Sequence, residues 1–298
     1  MSRWRVALAA VLVLTACQSG PDQQTSESRQ ITVTGEFGSI PVVTFDAPLP
    51  VKEGTIEKLV TGEGRELVPD GPALLAITAY DGDDGTVLTD RSPGVPRNLL
   101  LTTEDVGATL YDVLVGSTEG TRLLMTQPVD DGGPDAMLVV VIDVLHTRAT
   151  GSPGEAPPEG IAVTLEEGGA PVLGSLAAVA EPTSLGIVPL LVGEGPQVRP
   201  GQQLIAQYTA WNWDDGSVYD STWANGGIPA TITLDETFPG LRNGVVDQKV
   251  GSQVLLLIPP ALARGTDALA IVVDILAVVG EGRVAEESPP APSSPASP

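Results

Sequence analysis

Two phenols and a carboxylate, from Tyr208, Tyr219 and Asp220, fall at one end of a hairpin in the stretch Gln207–Trp223, Q-Y-T-A-W-N-W-D-D-G-S-V-Y-D-S-T-W. Tyr208–Trp211 read as the end of a strand begun at Gln203, Asp214-Asp215-Gly216 is a turn signal, and Ser217–Asp220 starts the return strand. Such a hairpin makes a polar mouth on an apolar cup, suited to holding a substrate by hydrogen bonds. Other chemistries find less support. His146, the only His, has no Cys or carboxylate at metal-ligand spacing and no nucleophile-like context, so neither a zinc site nor a Ser/His/Asp triad is expected. Asp81-Gly82-Asp83-Asp84 lacks the twelve-residue calcium-loop pattern and reads as a solvated turn. Trp211, Trp213 and Trp223 could form a carbohydrate platform, but two of them share a strand face, which favours core or pocket-rim packing. No metal and no cofactor is expected.

The elements that must position these groups are mostly strands. In the second half they are expected at Gln202–Trp213, Ser217–Asp220, Ala230–Leu234, Gln253–Pro259 and Ala268–Val279, with one helix at about Pro239–Val246. Pro239 and Gly240 suit a helix start, and Leu241, Val245 and Val246 lie about one turn apart. A shift of 131 residues carries Gly62-Glu63-Gly64 onto Gly193-Glu194-Gly195, Asp83-Asp84-Gly85 onto Asp214-Asp215-Gly216, and Asp143 onto Asp274. A constant offset over about 80 positions implies duplicated domains and not a solenoid of short repeats. The first copy places its helix at about Val106–Leu114. The fold class is therefore α+β, two tandem domains, each an antiparallel sheet wrapped around one short helix.

The N-terminus carries a different signal. Arg3 and Arg5 precede an apolar run from Val6 to Leu14, too short to span a membrane, and then Leu14-Thr15-Ala16-Cys17. This resembles a bacterial lipoprotein signal, so residues 1–17 are expected to direct export and Cys17 to carry lipid on the extracytoplasmic face of the cell membrane. Residues 18–38 then read as a disordered tether, 39–148 as the first domain, 149–161 as a linker, 162–280 as the second domain and 281–298 as a disordered tail. The linker separates two complete copies, so the second half is expected to fold alone. A single Cys permits no intramolecular disulfide. The net charge of −23, with only 15 Lys and Arg, argues against nucleic acid and against anionic headgroups, leaving the N-terminal lipid as the membrane contact. Charge of that size favours a soluble monomer.

The second half resembles the FKBP-type peptidyl-prolyl isomerases. Q-Y-T-A, D-D-G and Y-D-S-T-W stand where that family has H-Y-T-G, a D-G turn and F-D-S-S with a following Trp in bacterial members. Phe238-Pro239-Gly240-Leu241, Lys249-Val250-Gly251-Ser252 leading to Leu255–Pro260, and Ala268–Leu276 match later segments in order. The resemblance implies rotation about X-Pro peptide bonds in proline-containing proteins or peptides, here assisting the folding of exported proteins. Tyr208, Tyr219, Asp220 and Phe238 would be the catalytic set, the Phe238 backbone amide receiving the substrate carbonyl. Trp223, Leu241, Ile258, Arg264 and Ile271 would add substrate contacts. This chain departs from the family at Leu241 for the pocket-floor Trp, Ala230 and Ile271 for wall Phe residues, and Arg264 for a ligand-bonding Tyr. It also lacks a long insertion between Gly265 and Ala268. The first copy has Ile77, Leu88-Thr89 and Gly107 at the site positions, a fold kept without its site. The alternative function is a non-catalytic chaperone or binding module of the same fold, taking extended or proline-containing segments.

Overall fold

A computed structural model describes residues 31–89, 93–129 and 136–282. The chain opens with a hairpin of β1 (Thr32–Thr34) and β2 (Val42–Thr44). A first sheet follows, built from β3 (Thr55–Val60), β4 (Pro72–Asp81), β5 (Pro96–Leu100), β6 (Arg122–Val129) and β7 (Ala136–Leu145), in the spatial order β3-β6-β7-β4-β5. Two short helices, α1 (Thr103–Val106) and α2 (Ala108–Leu114), lie between β5 and β6. Next come β8 (Ser152–Pro153) and a hairpin of β9 (Val163–Leu165) and β10 (Pro171–Leu173). The second sheet contains β11 (Gly186–Val192), β12 (Gln203–Asn212), β13 (Val218–Ser221), β14 (Ala230–Thr233), β15 (Gln253–Ile258) and β16 (Leu269–Val279), with α3 (Pro239–Val245) between β14 and β15. Its order is β13-β12-β16-β15-β11-β8, and β14 also pairs with β12. All of these pairings are antiparallel.

β16 is central, and its apolar run, interrupted only by the buried Asp274, follows from having both faces covered. Successive side chains alternate between faces. Leu269, Ile271, Val273 and Ile275 face α3 and join its Leu241 and Val245 in one core. Ala270 and Val272 face the other way, against Trp211, Trp213, Ile161 and Leu176, with β9–β10 side chains packed beside them. Each large side chain buried this way contributes about 1.5–3 kcal/mol.

The helix approaches its sheet closely because it presents glycine there. A Cβ on Gly240 would lie 2.3 Å from Ile258 Cγ2, and one on Gly244 2.5 Å from Leu256 Cδ2. With Pro239 at its first turn and these glycines four apart, α3 settles onto β15 and holds Phe238 and Leu241 at the sheet's open end.

The two sheets share a register at the 131-residue offset over most of their length, departing where β12 shifts against β16 between Ile205 and Ala206. Arg122 pairs with Asp143 as Gln253 pairs with Asp274, Ile77 with Ile142 as Tyr208 with Val273, and both first strands bulge at the same place. The sheets also touch. Leu74, Ala76 and Leu145 of the first share a buried cluster with Ile205, Leu276 and Ala277 of the second.

Several expectations need correction. β1 lies inside the stretch read as tether, because Ile31, Val33 and Val43 cover the back of the first sheet over Tyr80, Leu124, Val139 and Val141. The stretch read as linker contains β8, which pairs with β11, and the buried Ile161. Composition suggested a free linker there, but its few apolar and extended residues have a sheet face and edge to dock on. The first sheet's helix is broken in two at Gly107, whose φ of 79° is left-handed. β11 escaped notice because its Gly, Pro and consecutive leucines do not alternate. The signal stretch with Cys17, and the tail beyond residue 282, lie outside the described residues. Among the described residues no helix is long and apolar enough to cross a membrane.

Candidate functional site

Tyr208 is anchored through its backbone. Its N–H donates to Thr222 Oγ1 at 2.9 Å, and its carbonyl accepts from the Thr222 N–H at 3.0 Å and from Oγ1 at 3.2 Å. Thr209 Oγ1 and Ser221 Oγ lie 2.9 Å apart on the neighbouring rung. Hydroxyls of the D-S-T stretch thus extend the β12–β13 ladder past its backbone bonds.

A β-bulge does the rest. Ala210 pairs with Asp220 and Trp211 with Val218, so Tyr219 is an extra residue with no partner. In a regular strand the adjacent Tyr219 and Asp220 would point to opposite faces; a bulge re-aims one of them. Both line the same cavity. Tyr219 remains 45% exposed.

That cavity has a volume of about 460 Å³. Tyr208, Tyr219 and Asp220 form one side, Ala230, Thr231, Ile232 and Thr233 of β14 another, and Phe238 and Leu241 a third. Ala210, Leu269 and Ile271 close the floor, with Glu236, Thr237 and Arg264 at the rim. Tyr208 Oη donates to Asp220 Oδ2 at 2.7 Å, and the Ser221 N–H donates to Asp220 Oδ1 at 2.8 Å. Burial, then the bond and charge of Asp220, raise the Tyr208 phenol well above its ordinary pKa, against a weaker opposing pull from Arg264. The phenol therefore stays protonated at any physiological pH and serves as a neutral donor and acceptor.

Seven of the nine expected site residues meet in this cavity. Trp223 and Ile258 do not line it. Ile258 is fully buried beneath Gly240 as core, and Trp223 is half-buried, its indole N–H enclosed without a hydrogen-bond partner among the described residues. Both are implied by the family resemblance, which fixes neither depth nor rotamer in this chain. The β14 threonines and Glu236 went unnoticed, since small polar residues in a strand and turn carry no signal of their own. Trp211 and Trp213, 5% and 6% exposed, are core and offer no platform to a sugar.

At the corresponding positions of the first sheet, Ile77, Leu88, Leu99 and Val106 pack onto the hydrophobic core. Apolar side chains occupy the places of Tyr208, Tyr219, Ala230 and Thr237. His146 stands with Nδ1 3.5 Å from Glu119 Oε2, in a cluster with Arg65 and Thr147. Hydrogen bonds and the Arg65 charge outweigh burial and hold the Glu119 carboxyl below its ordinary pKa. Among the described residues no group of three His, Cys, Asp or Glu side chains could hold a metal ion.

Residues 195–277 match the sequence model of FKBP-type peptidyl-prolyl cis-trans isomerases. The chain is 33% identical over 86 residues to a probable FK506-binding protein of Corynebacterium glutamicum, covering 29% of this chain and 72% of that one. It is 35% identical over 85 residues to FK506-binding protein 15 of Mus musculus, spanning 27% of this chain but only 7% of that much longer protein. Among solved structures, FkpA from Escherichia coli aligns with 22% identity and a TM-score of 0.30, over 39% of this chain and 51% of that one. The three FKBP domains of wheat FKBP73 align over 76% of this chain and 94% of that one, with 17% identity and a TM-score of 0.29.

Proposed function

This chain belongs to the FKBP-type peptidyl-prolyl cis-trans isomerase family, and from that premise we propose that the cavity of its second sheet accelerates rotation about X-Pro bonds. The observation that carries this is the meeting of Tyr208, Asp220, Phe238, Leu241 and Ile271 in one cavity of about 460 Å³. Planar amide resonance opposes rotation with a barrier of about 18–20 kcal/mol. A twisted amide has lost much of its charge separation, so an apolar floor of Ala210, Leu269 and Ile271 beside Leu241 favours it over the planar ground state. The Phe238 backbone N–H donates to the substrate carbonyl, while the Tyr208 hydroxyl, its proton committed to Asp220, shapes the wall and offers its oxygen as an acceptor. No covalent step or proton transfer is required.

The first sheet is, in this reading, a second FKBP-like domain that has lost its site, since Ile77 and Leu88 replace both phenols and Thr89 replaces the carboxylate of Asp220. Cys17 carries the lipid that holds the protein on the outer face of the membrane, where exported proline-containing chains fold. A second reading has its own support. Ala230 leaves one wall as a bare methyl and Arg264 puts a charge at the rim, both of which suit capture of an extended segment more than efficient isomerisation. A protease-coupled assay with X-Pro peptides, run beside suppression of aggregation of an unfolded client, separates them: isomerisation supports the enzyme, and aggregation suppression without it supports the binding module.

A further inference from the structure

Pro229 immediately precedes the cavity wall that starts at Ala230, and its carbonyl is held from outside its own sheet. Asn98 of β5 donates from Nδ2 to the Pro229 carbonyl. Asn98 pairs across the strands with Leu74, and directly opposed residues project to the same face. Leu74 is fully buried in the cluster shared by the two sheets, so the face that carries Asn98 is pressed against the second sheet. Pro229 is buried there, although Ala224–Gly226 just before it are exposed. On the other side Gln207 donates from Nε2 to the Gly227 carbonyl, and the Gly227 N–H donates to the Thr222 carbonyl at 3.0 Å. The segment 222–229 is thus held at Thr222 and Gly227 by its own sheet and at Pro229 by the other.

Past Pro229 the chain runs directly into β14, whose Ala230–Thr233 pair with Gln203–Ala206 and line the cavity. Every lining residue belongs to the second sheet and its connections, and Pro229 is the hydrogen-bonded route by which the first sheet reaches the cavity, beside the packing of Leu74 and Ala76 on Ile205, which pairs with Thr231. Ala230 has only a methyl to offer. The position of this wall is consequently the position of its backbone.

We propose that Asn98 is a positioning residue for the cavity: the first sheet, without a site of its own, fixes the wall Ala230–Thr233 through the Pro229 carbonyl and so sets how tightly a proline-containing segment is held. The kinetic consequence rests on the isomerase reading; the clamp does not. A wall displaced by about 1 Å weakens the fit of a bound segment substantially.

The test uses the full chain. Asn98→Asp keeps the side-chain shape but removes both N–H donors and sets a charge against the carbonyl, whereas Asn98→Gln keeps the donors. Hydrogen exchange of the Gly227 amide and the Ala230–Thr233 amides should quicken roughly tenfold in Asn98→Asp, with Val254 and Leu256 unchanged, and return toward wild type in Asn98→Gln. KM for an X-Pro peptide should rise roughly three- to tenfold in Asn98→Asp with kcat within about twofold. Unchanged exchange at Gly227 and Ala230–Thr233 overturns the proposal, as does acceleration that reaches Val254 and Leu256 equally, or a Gln variant as damaged as the Asp variant. If wild type has no isomerase activity the enzyme reading fails, and exchange together with calorimetric binding of the same peptide then decides the clamp.

Discussion

Gln253 Nε2 donates to Asp274 Oδ1 at 2.8 Å, at the positions where the first sheet joins Arg122 to Asp143 in a two-pronged ion pair of 2.6 and 2.7 Å. The second sheet therefore holds a buried carboxylate with an amide, and no cation, paired across from it. Asp274 also accepts the Ala149 N–H at 3.0 Å. Burial pushes its carboxyl up to about 6, against the opposing Ala149 and Gln253 bonds and the Arg148 charge.

A carboxyl with a folded pKa near 6 and an unfolded pKa near 3.9 binds more protons in the folded state between those values. Stability should accordingly fall as pH rises from about 4 to about 6 and level off above, a cost of about 2–3 kcal/mol. Asp274→Asn, with Gln253 turned to offer its carbonyl to the new amide, should remove that dependence and stabilise the protein by about 1–3 kcal/mol above pH 6. Urea denaturation at pH 4.5 and 7.5 measures both. An Asn variant less stable than wild type at pH 7.5 would show that the ionised form is held favourably.

The contact between sheets bears on the autonomy expected of the second half. Ile205, Leu276 and Ala277 are 1%, 7% and 8% exposed because the first sheet covers them. A fragment of residues 161–280 would uncover all three and lose β8 and the Ala149 bond to Asp274. It should be less stable than the full chain by roughly 3–6 kcal/mol, from the apolar surface alone. Equal urea midpoints would contradict the shared core.

Much of this architecture is legible in the sequence because its signals are local. The apolar run around Leu269–Ala277, the D-D-G turn and the Pro239-Gly240 start each mark an element, and the 131-residue offset repeats the run and the turn. Tyr208 and Asp220 come together because a hairpin fixes their register. What the sequence conceals is set by distant parts of the chain. The bulge at Tyr219 depends on pairing with β12, the docking of β1–β2 and β9–β10 on sheet backs depends on apolar faces far away in sequence, and the contact of Asn98 with Pro229 joins residues 131 apart. Ile258 and Trp223 sit in matched family segments as the true lining residues do, and only packing separates them.

The cavity wall offers a gain-of-function prediction. Ala230→Phe should narrow the open side, and with Ile271→Phe should raise kcat/KM for X-Pro peptides roughly threefold or more if a missing apolar wall limits the rate. Ile271 is 2% exposed, so its enlargement risks overpacking and the single Ala230→Phe variant is the cleaner probe. A rate unchanged by a folded Ala230→Phe protein would show that the wall is not limiting.

The proposed anchor is tested by fractionation. Cys17→Ala should move the protein out of the membrane fraction or leave it uncleaved, because the lipid is its one expected attachment. Unchanged partitioning into detergent would sink the lipoprotein reading.

The central claim is that the Tyr208–Asp220 pair and the floor beneath it catalyse proline isomerisation. A protease-coupled assay on Ala-Leu-Pro-Phe-type peptides measures it directly, because the uncatalysed step takes tens to hundreds of seconds. Wild type should shorten that phase in proportion to protein concentration. Tyr208→Phe, which deletes the hydroxyl bonded to Asp220 at 2.7 Å, should lower kcat/KM roughly three- to tenfold, the worth of one hydrogen bond. A wild-type protein that leaves the slow phase untouched, or a Tyr208→Phe protein that retains the full rate, would contradict the account.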